Sequence, residues 1–100
     1  MKEKLLNDKI VIENNARELW QGKGADIGEL NRALYEASHI ILDMAEALND
    51  EDKLTTINYV KNAFSDFEKA CKKRDDYMLA DCLYYEWREL LSIYIDVMGE

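Results

Sequence analysis

At 100 residues and 11.7 kDa the chain has room for one domain, and its 48% hydrophobic and 34% charged content suits a single packed core better than a disordered chain. Having no proline and only four glycines, it lacks the turn residues that a β-sandwich or barrel demands. A net charge of -8 with a pI near 4.6 disfavours direct contact with DNA, RNA or an anionic membrane surface, because phosphate contacts need clustered Lys and Arg.

Four amphipathic segments follow in chain order. In the first, Leu5, Ile12, Ala16 and Leu19 share a helical face with Leu6 and Trp20 alongside, while Ile10 and Val11 point elsewhere and Asn14-Asn15 is a poor helix-forming pair. Gly22-Lys23-Gly24 ends it. The second runs from Asp26 to about Asn49, with Ile27, Leu30, Leu34, Ala37, Ile41, Met44 and Leu48 alternately three and four apart. Asp26 and Glu29 have the spacing of a capping box. A third helix, from about Glu51 to Lys73, repeats the spacing through Ile57, Val60, Phe64, Phe67 and Cys71, and Lys72, Lys73 and Arg74 complement the carbonyls at its end. Asp75 and Asp76 open the last helix, which continues to Met98 before Gly99, with Ala80, Leu83, Trp87, Leu90, Tyr94 and Val97 as its seam.

Similar lengths joined by short connections predict one all-α domain over residues 1–100, an up-down-up-down antiparallel four-helix bundle. Charge agrees: residues 1–25 and 53–74 carry +1 and +4, whereas 26–52 and 75–100 carry -7 and -6, so sequential neighbours attract. The charged amino terminus offers no signal core, and no run approaches the ~18 apolar residues of a membrane span. Cytoplasmic residence is therefore expected.

Reagents for chemistry are scarce. Glu36 and His39 form a Glu-x-x-His pair, half the ligand set of a di-iron bundle, but His39 is the only histidine. Cys71 and Cys82 are the only cysteines, too few for a tetrahedral zinc site, and are read as reduced structural thiols. There is no Gly-x-Ser-x-Gly elbow, and Gly22-x-Gly24 is too short for a phosphate loop. The expectation is a protein without enzymatic activity, cofactor or metal.

The last helix holds the informative residues. At 100° per residue, Glu86 falls among Leu79, Leu83, Leu90, Ile93 and Val97, so a buried carboxylate is expected, with Arg17, Arg32, Lys61 or a tyrosine hydroxyl as its partner. Tyr77, Met78, Tyr84, Tyr85, Leu91 and Ile95 lie outside the seam, giving this helix more apolar surface than one packing face requires. Either the first helix covers the excess or a second protein does, which makes Tyr77, Tyr84, Tyr85, Leu91 and Ile95 candidate partner-binding residues.

Asp76, Leu79, Ala80, Asp81, Leu83, Tyr85 and Glu86 also make a motif. It resembles the closing Leu-Ala-Asp-x-Leu-x-Tyr-Glu of a family of small bacterial helical proteins built on a domain of unknown function. That family usually follows the Glu with a leucine and a proline, where Trp87 and Arg88 stand here. The resemblance covers the last quarter of the chain and directs attention to its polar members Asp81, Tyr85 and Glu86, with Asp81 beside Glu86 as a candidate buried polar residue. Since some members are encoded near motility genes, it implies an adaptor or chaperone-like function. The two functional expectations are thus a protein-protein interaction module, whose partner is another protein or a second copy in a homodimer, and an acidic decoy that presents carboxylates in place of nucleic-acid phosphates.

Overall fold

The computed structural model describes residues Met1–Gly99, whose regular structure is entirely helical. Helices α1 (Lys2–Trp20), α2 (Ile27–Ala45) and α3 (Asp50–Lys73) precede a C-terminal rod of three continuous parts: α4 (Asp76–Asp81), a π-helical segment (Cys82–Trp87) and α5 (Arg88–Met98). None of the described helices is long and apolar enough to cross a membrane.

Short polar side chains set the helix starts. Asp26 accepts from the Glu29 amide at 3.1 Å, Asn49 from the Asp52 amide at 2.8 Å and Asp75 from the Met78 amide at 3.0 Å, each relieving an amide with no partner inside the helix. Glu29 does not reach back to complete the capping box. Instead Asn15 of α1, which is buried, donates to the Glu29 carboxylate at 3.1 Å and accepts from the Asp26 amide at 2.9 Å. The residue that weakens α1 as an isolated helix thus fastens its end to the start of α2.

Helix α3 ends without a glycine. Arg74 takes the left-handed conformation at φ 52°, which lets the amides of Arg74 and Asp75 bond the carbonyls of Cys71 and Ala70, both at 3.2 Å. A side chain in this region is strained by roughly 1 kcal/mol or more. Arg74→Gly is therefore expected to raise stability by about 0.5 to 1 kcal/mol, measured as a higher midpoint of urea unfolding; an unchanged or lower midpoint would mean that the Arg74 side chain offsets its own strain.

The π segment decides what the last helix buries. In an α-helix the Arg88 amide would donate to Tyr84; here it donates to the Leu83 carbonyl, five residues back. The vacated Tyr84 carbonyl is taken by Arg88 Nε at 3.1 Å, and the guanidinium lies 4.0 Å from the Tyr84 ring centroid. Trp87 Nε1 and Cys82 Sγ both donate to the Ala63 carbonyl, pinning the wide turn to α3.

One extra residue in a turn rotates everything beyond it. Leu91 (0% exposed) and Ile95 (8%) enter the core, and Ile93 (58%) and Val97 (66%) turn outward. The expectation of Leu91 and Ile95 as partner-binding residues, drawn from a uniform α-helical register, is corrected accordingly, as is that of Val97 in the seam. Leu48 too leaves the core, because α2 ends at Ala45 and Leu48 sits in the following turn.

Trp87, Leu83 and Leu91 from the rod, Leu5 and Ile12 from α1, Leu30, Leu34 and Ile41 from α2, and Val60 and Phe67 from α3 share one core. Helix α1 packs on α2 and along the whole rod, whereas α3 packs on α2, α4 and the π segment. Ion pairs cross between helices at Asp8–Arg32 (3.5 Å) and Glu46–Lys53 (2.7 Å).

Candidate functional site

Where the end of α1 meets the π segment, three aromatic rings gather. The Trp20 and Tyr84 centroids are 5.2 Å apart, those of Tyr84 and Tyr85 5.2 Å, and those of Trp20 and Tyr85 6.5 Å. Tyr84 is half-buried beneath Trp20 and Arg88, whereas Tyr85 and Trp20 present surface to solvent. The Trp20–Tyr84 and Tyr84–Tyr85 pairs meet edge to face, a geometry that aromatic rings favour beyond the area they bury.

On the other side of Tyr85 lies a groove of about 580 Å³ between the later part of α3 and the start of the C-terminal rod. Asp66 and Asp75 line it together with Tyr77, Met78, Asp81, Cys82, Tyr85 and Glu86. Tyr77 and Asp81 are exposed at its rim, and Cys82 is buried at its base. The groove therefore unites Tyr77, Tyr85, Asp81 and Glu86 from the sequence-derived candidates.

Its electrostatics differ from expectation. Glu86 is half-buried and turned toward Asp66, not into the core, so the expected basic partner is replaced by a second carboxyl. Arg17 bonds Asn14 and Arg32 lies against Asp8, while the hydroxyl of Tyr59 reaches the Glu86 backbone carbonyl at 3.4 Å. Burial, then hydrogen bonding to Asp66 and its negative charge, push Glu86 up to about 7. Near neutral pH the pair holds a proton in part of the molecules, a state that a cation entering the groove would displace. Asp81, expected as a buried polar residue, is corrected: the rod turns it to solvent.

The buried acid is Asp8, fully inaccessible on the inner face of α1. Neither carboxylate oxygen has a hydrogen-bond partner, and Arg32 Nη1 stands 3.5 Å away. Burial and the adjacent Glu36 raise its carboxyl to about 7 against the lowering effect of Arg32. A signal was present in the sequence, since Asp8 sits between Leu5 and Ile12 at the spacing of their stripe.

Other reagents are disarmed or dispersed. Burial, chiefly, pushes the Cys82 thiol up to about 12 and raises Cys71, leaving neither as a thiolate nucleophile; both cysteines are free. His39 is exposed, Glu36 pairs with Arg32 at 3.6 Å, and among the described residues no group of three or more His, Cys, Asp or Glu side chains is placed to hold a metal ion. Although the Asp66–Glu86 pair has the proton affinity of a general acid, the groove lining supplies no cation or activated nucleophile beside it. Compared with protein-family models, curated proteins and solved structures, the chain matches none.

Proposed function

We propose that the chain is a non-enzymatic, cytoplasmic protein-protein interaction module, adaptor or chaperone-like, whose groove beside the π segment captures a Lys- or Arg-bearing segment of another protein. The observation that carries this reading is the outward presentation of Tyr85, Tyr77 and Glu86 around Asp66, Asp75 and Asp81. Aromatic faces and carboxylates together receive a cationic side chain, the rings through their quadrupole and the acids by charge. A π segment suits the role, since such interruptions gather at functional sites. The resemblance to the small bacterial helical family, carried by Asp76, Leu79, Ala80, Asp81, Leu83, Tyr85 and Glu86, points the same way, because its polar members Asp81, Tyr85 and Glu86 line the groove. An up-down-up-down antiparallel bundle is the proposed scaffold, supported by the pairings Asp8–Arg32, Glu46–Lys53, Thr56–Tyr94 and Trp20–Tyr84.

Tyr85→Ala with Tyr77→Ala is the test. Both side chains are exposed, so the melting temperature is expected to stay within a few degrees of the parent, while capture of the partner from cell extract falls at least tenfold. Undiminished capture would contradict the reading. The acidic decoy predicts a different pattern: binding dominated by net charge, abolished by moderate salt and indifferent to the two tyrosines.

A further inference from the structure

The groove does not end at Tyr85. Asp52, Thr55, Tyr59, Asn62 and Asp66 recur three and four apart along α3, and none of them is buried. Beside them the rod presents Tyr85, Glu89, Ile93 and Val97, four apart and all exposed. The Thr56–Tyr94 hydroxyl bond at 2.7 Å and the Tyr59 hydroxyl on the Glu86 carbonyl hold the two stripes in register.

At the far end from Tyr85, a second depression of about 280 Å³ opens among Met44, Leu48, Thr55, Ile93 and Val97 with Asp52 at its edge. Ile93, Val97 and Leu48 are all exposed there, although each is a residue a packed core would take. The seam thus changes character along its length, from acids and tyrosines at one end to aliphatic side chains at the other.

We propose that the occupant of this seam is a single amphipathic helix of about three turns, cationic at one end and aliphatic at the other, lying along the junction of α3 and the C-terminal rod. This rests on the function proposed above and extends it by naming the partner's shape. The length follows from the separation of Thr55 and Asp66 on α3, eleven residues at about 1.5 Å each, or roughly 16 Å. Charge decides between occupants. A second copy of this chain, at -8 overall, would bring carboxylates to Asp66, Asp75, Asp81 and Glu86, whereas a helix with lysines at that end matches them. The lysines of α3 lie outside the lining of both depressions. Leucines at helical spacing would fill the aliphatic depression, the helix-in-groove mode of recognition.

The probes are two capped 14-residue helical peptides, with leucines on one face of one half and lysines in the other half, written in both chain directions. Binding is read by fluorescence anisotropy against the parent, against Tyr85→Ala, and against the double variant Ile93→Ser with Val97→Ser. All substituted side chains are exposed, and unchanged melting of each variant is verified first. The expected result is that one peptide binds the parent and loses at least fivefold in affinity to each variant. If Tyr85→Ala weakens binding and the double variant does not, the extended helix is wrong and the tyrosine groove alone stands. If the double variant weakens it and Tyr85→Ala does not, or if neither peptide binds, both readings fall. A concentration-dependent dimer abolished by Ile93→Ser would instead put a second copy on the aliphatic end and overturn the proposal.

Discussion

Leu91→Ala is expected to destabilise the protein by about 2 to 5 kcal/mol, whereas Ile93→Ala, two residues on, changes stability by no more than about 0.5 kcal/mol. Leu91 is inaccessible in the shared core, so truncation leaves a cavity there, whereas Ile93 is 58% exposed and has little packing to lose. For a domain of this size the first change lowers the melting temperature by on the order of 10 °C or more. The contrast is informative because in a regular α-helix Leu91 and Ile93 stand equally far to either side of Leu83, about 80° each at 100° per residue, so only the rotation introduced by the π segment separates them. Equal losses, or a larger one at Ile93, would mean that the wide turn at Cys82–Trp87 is absent in solution.

The second large effect concerns Asp8, and its sign is opposite to that of most buried-residue changes. Its folded-state carboxyl titrates near 7, raised from 3.8, so the native state holds a proton that the unfolded chain releases between about pH 4 and 7. Over that window the native state binds more protons, and stability contributed by this group falls as pH rises, at up to about 1.4 kcal/mol per pH unit. Above 7 the deficit is complete: an ionised carboxylate sits without a hydrogen bond, compensated only by Arg32 at 3.5 Å. Asp8→Asn is therefore expected to raise the melting temperature at pH 8 by on the order of 10 °C and to leave it little changed at pH 5. A lower melting temperature at pH 8 would show the Asp8–Arg32 pair to be net stabilising.

Much of the fold was legible because it depends on local signals. Caps at Asp26 and Asp75, the glycine pair after Trp20, and the spacing from Leu30 to Ile41 each locate a boundary or a face without reference to the rest of the chain. The failures in the last helix share one cause. Beyond Trp87 the seam continues through Leu90 and Tyr94, which are buried as expected, but whether Leu91 and Ile95 or Ile93 and Val97 join them in the core depends on the turn geometry before them. That geometry depends on the Ala63 carbonyl receiving Trp87 and Cys82, a contact 19 to 24 residues distant in sequence.

The same dependence governs the candidate site. Tyr77 and Tyr85 were identifiable as surplus aromatics, but Asp66 was not, because nothing local to α3 says that it will face Glu86. Asp8 was missed for a different reason: a single acid within an apolar stripe reads as an interruption of the pattern, when here it is buried as a member of it. Asn15 shows the opposite error, a poor helix former that the fold employs as a clamp between α1 and α2.

Both the binding surface and the core assigned to the C-terminal rod depend on its rotation about its own axis beyond the π segment. Thiol labelling reads that rotation directly. In a background of Cys71→Ser and Cys82→Ala, single variants Leu91→Cys, Ile93→Cys, Ile95→Cys and Val97→Cys are exposed to a maleimide under native conditions. Rapid labelling at 93 and 97 with protection at 91 and 95 is the predicted outcome. The reverse pattern would return Ile93 and Val97 to the core and remove the surface on which the proposed partner docks.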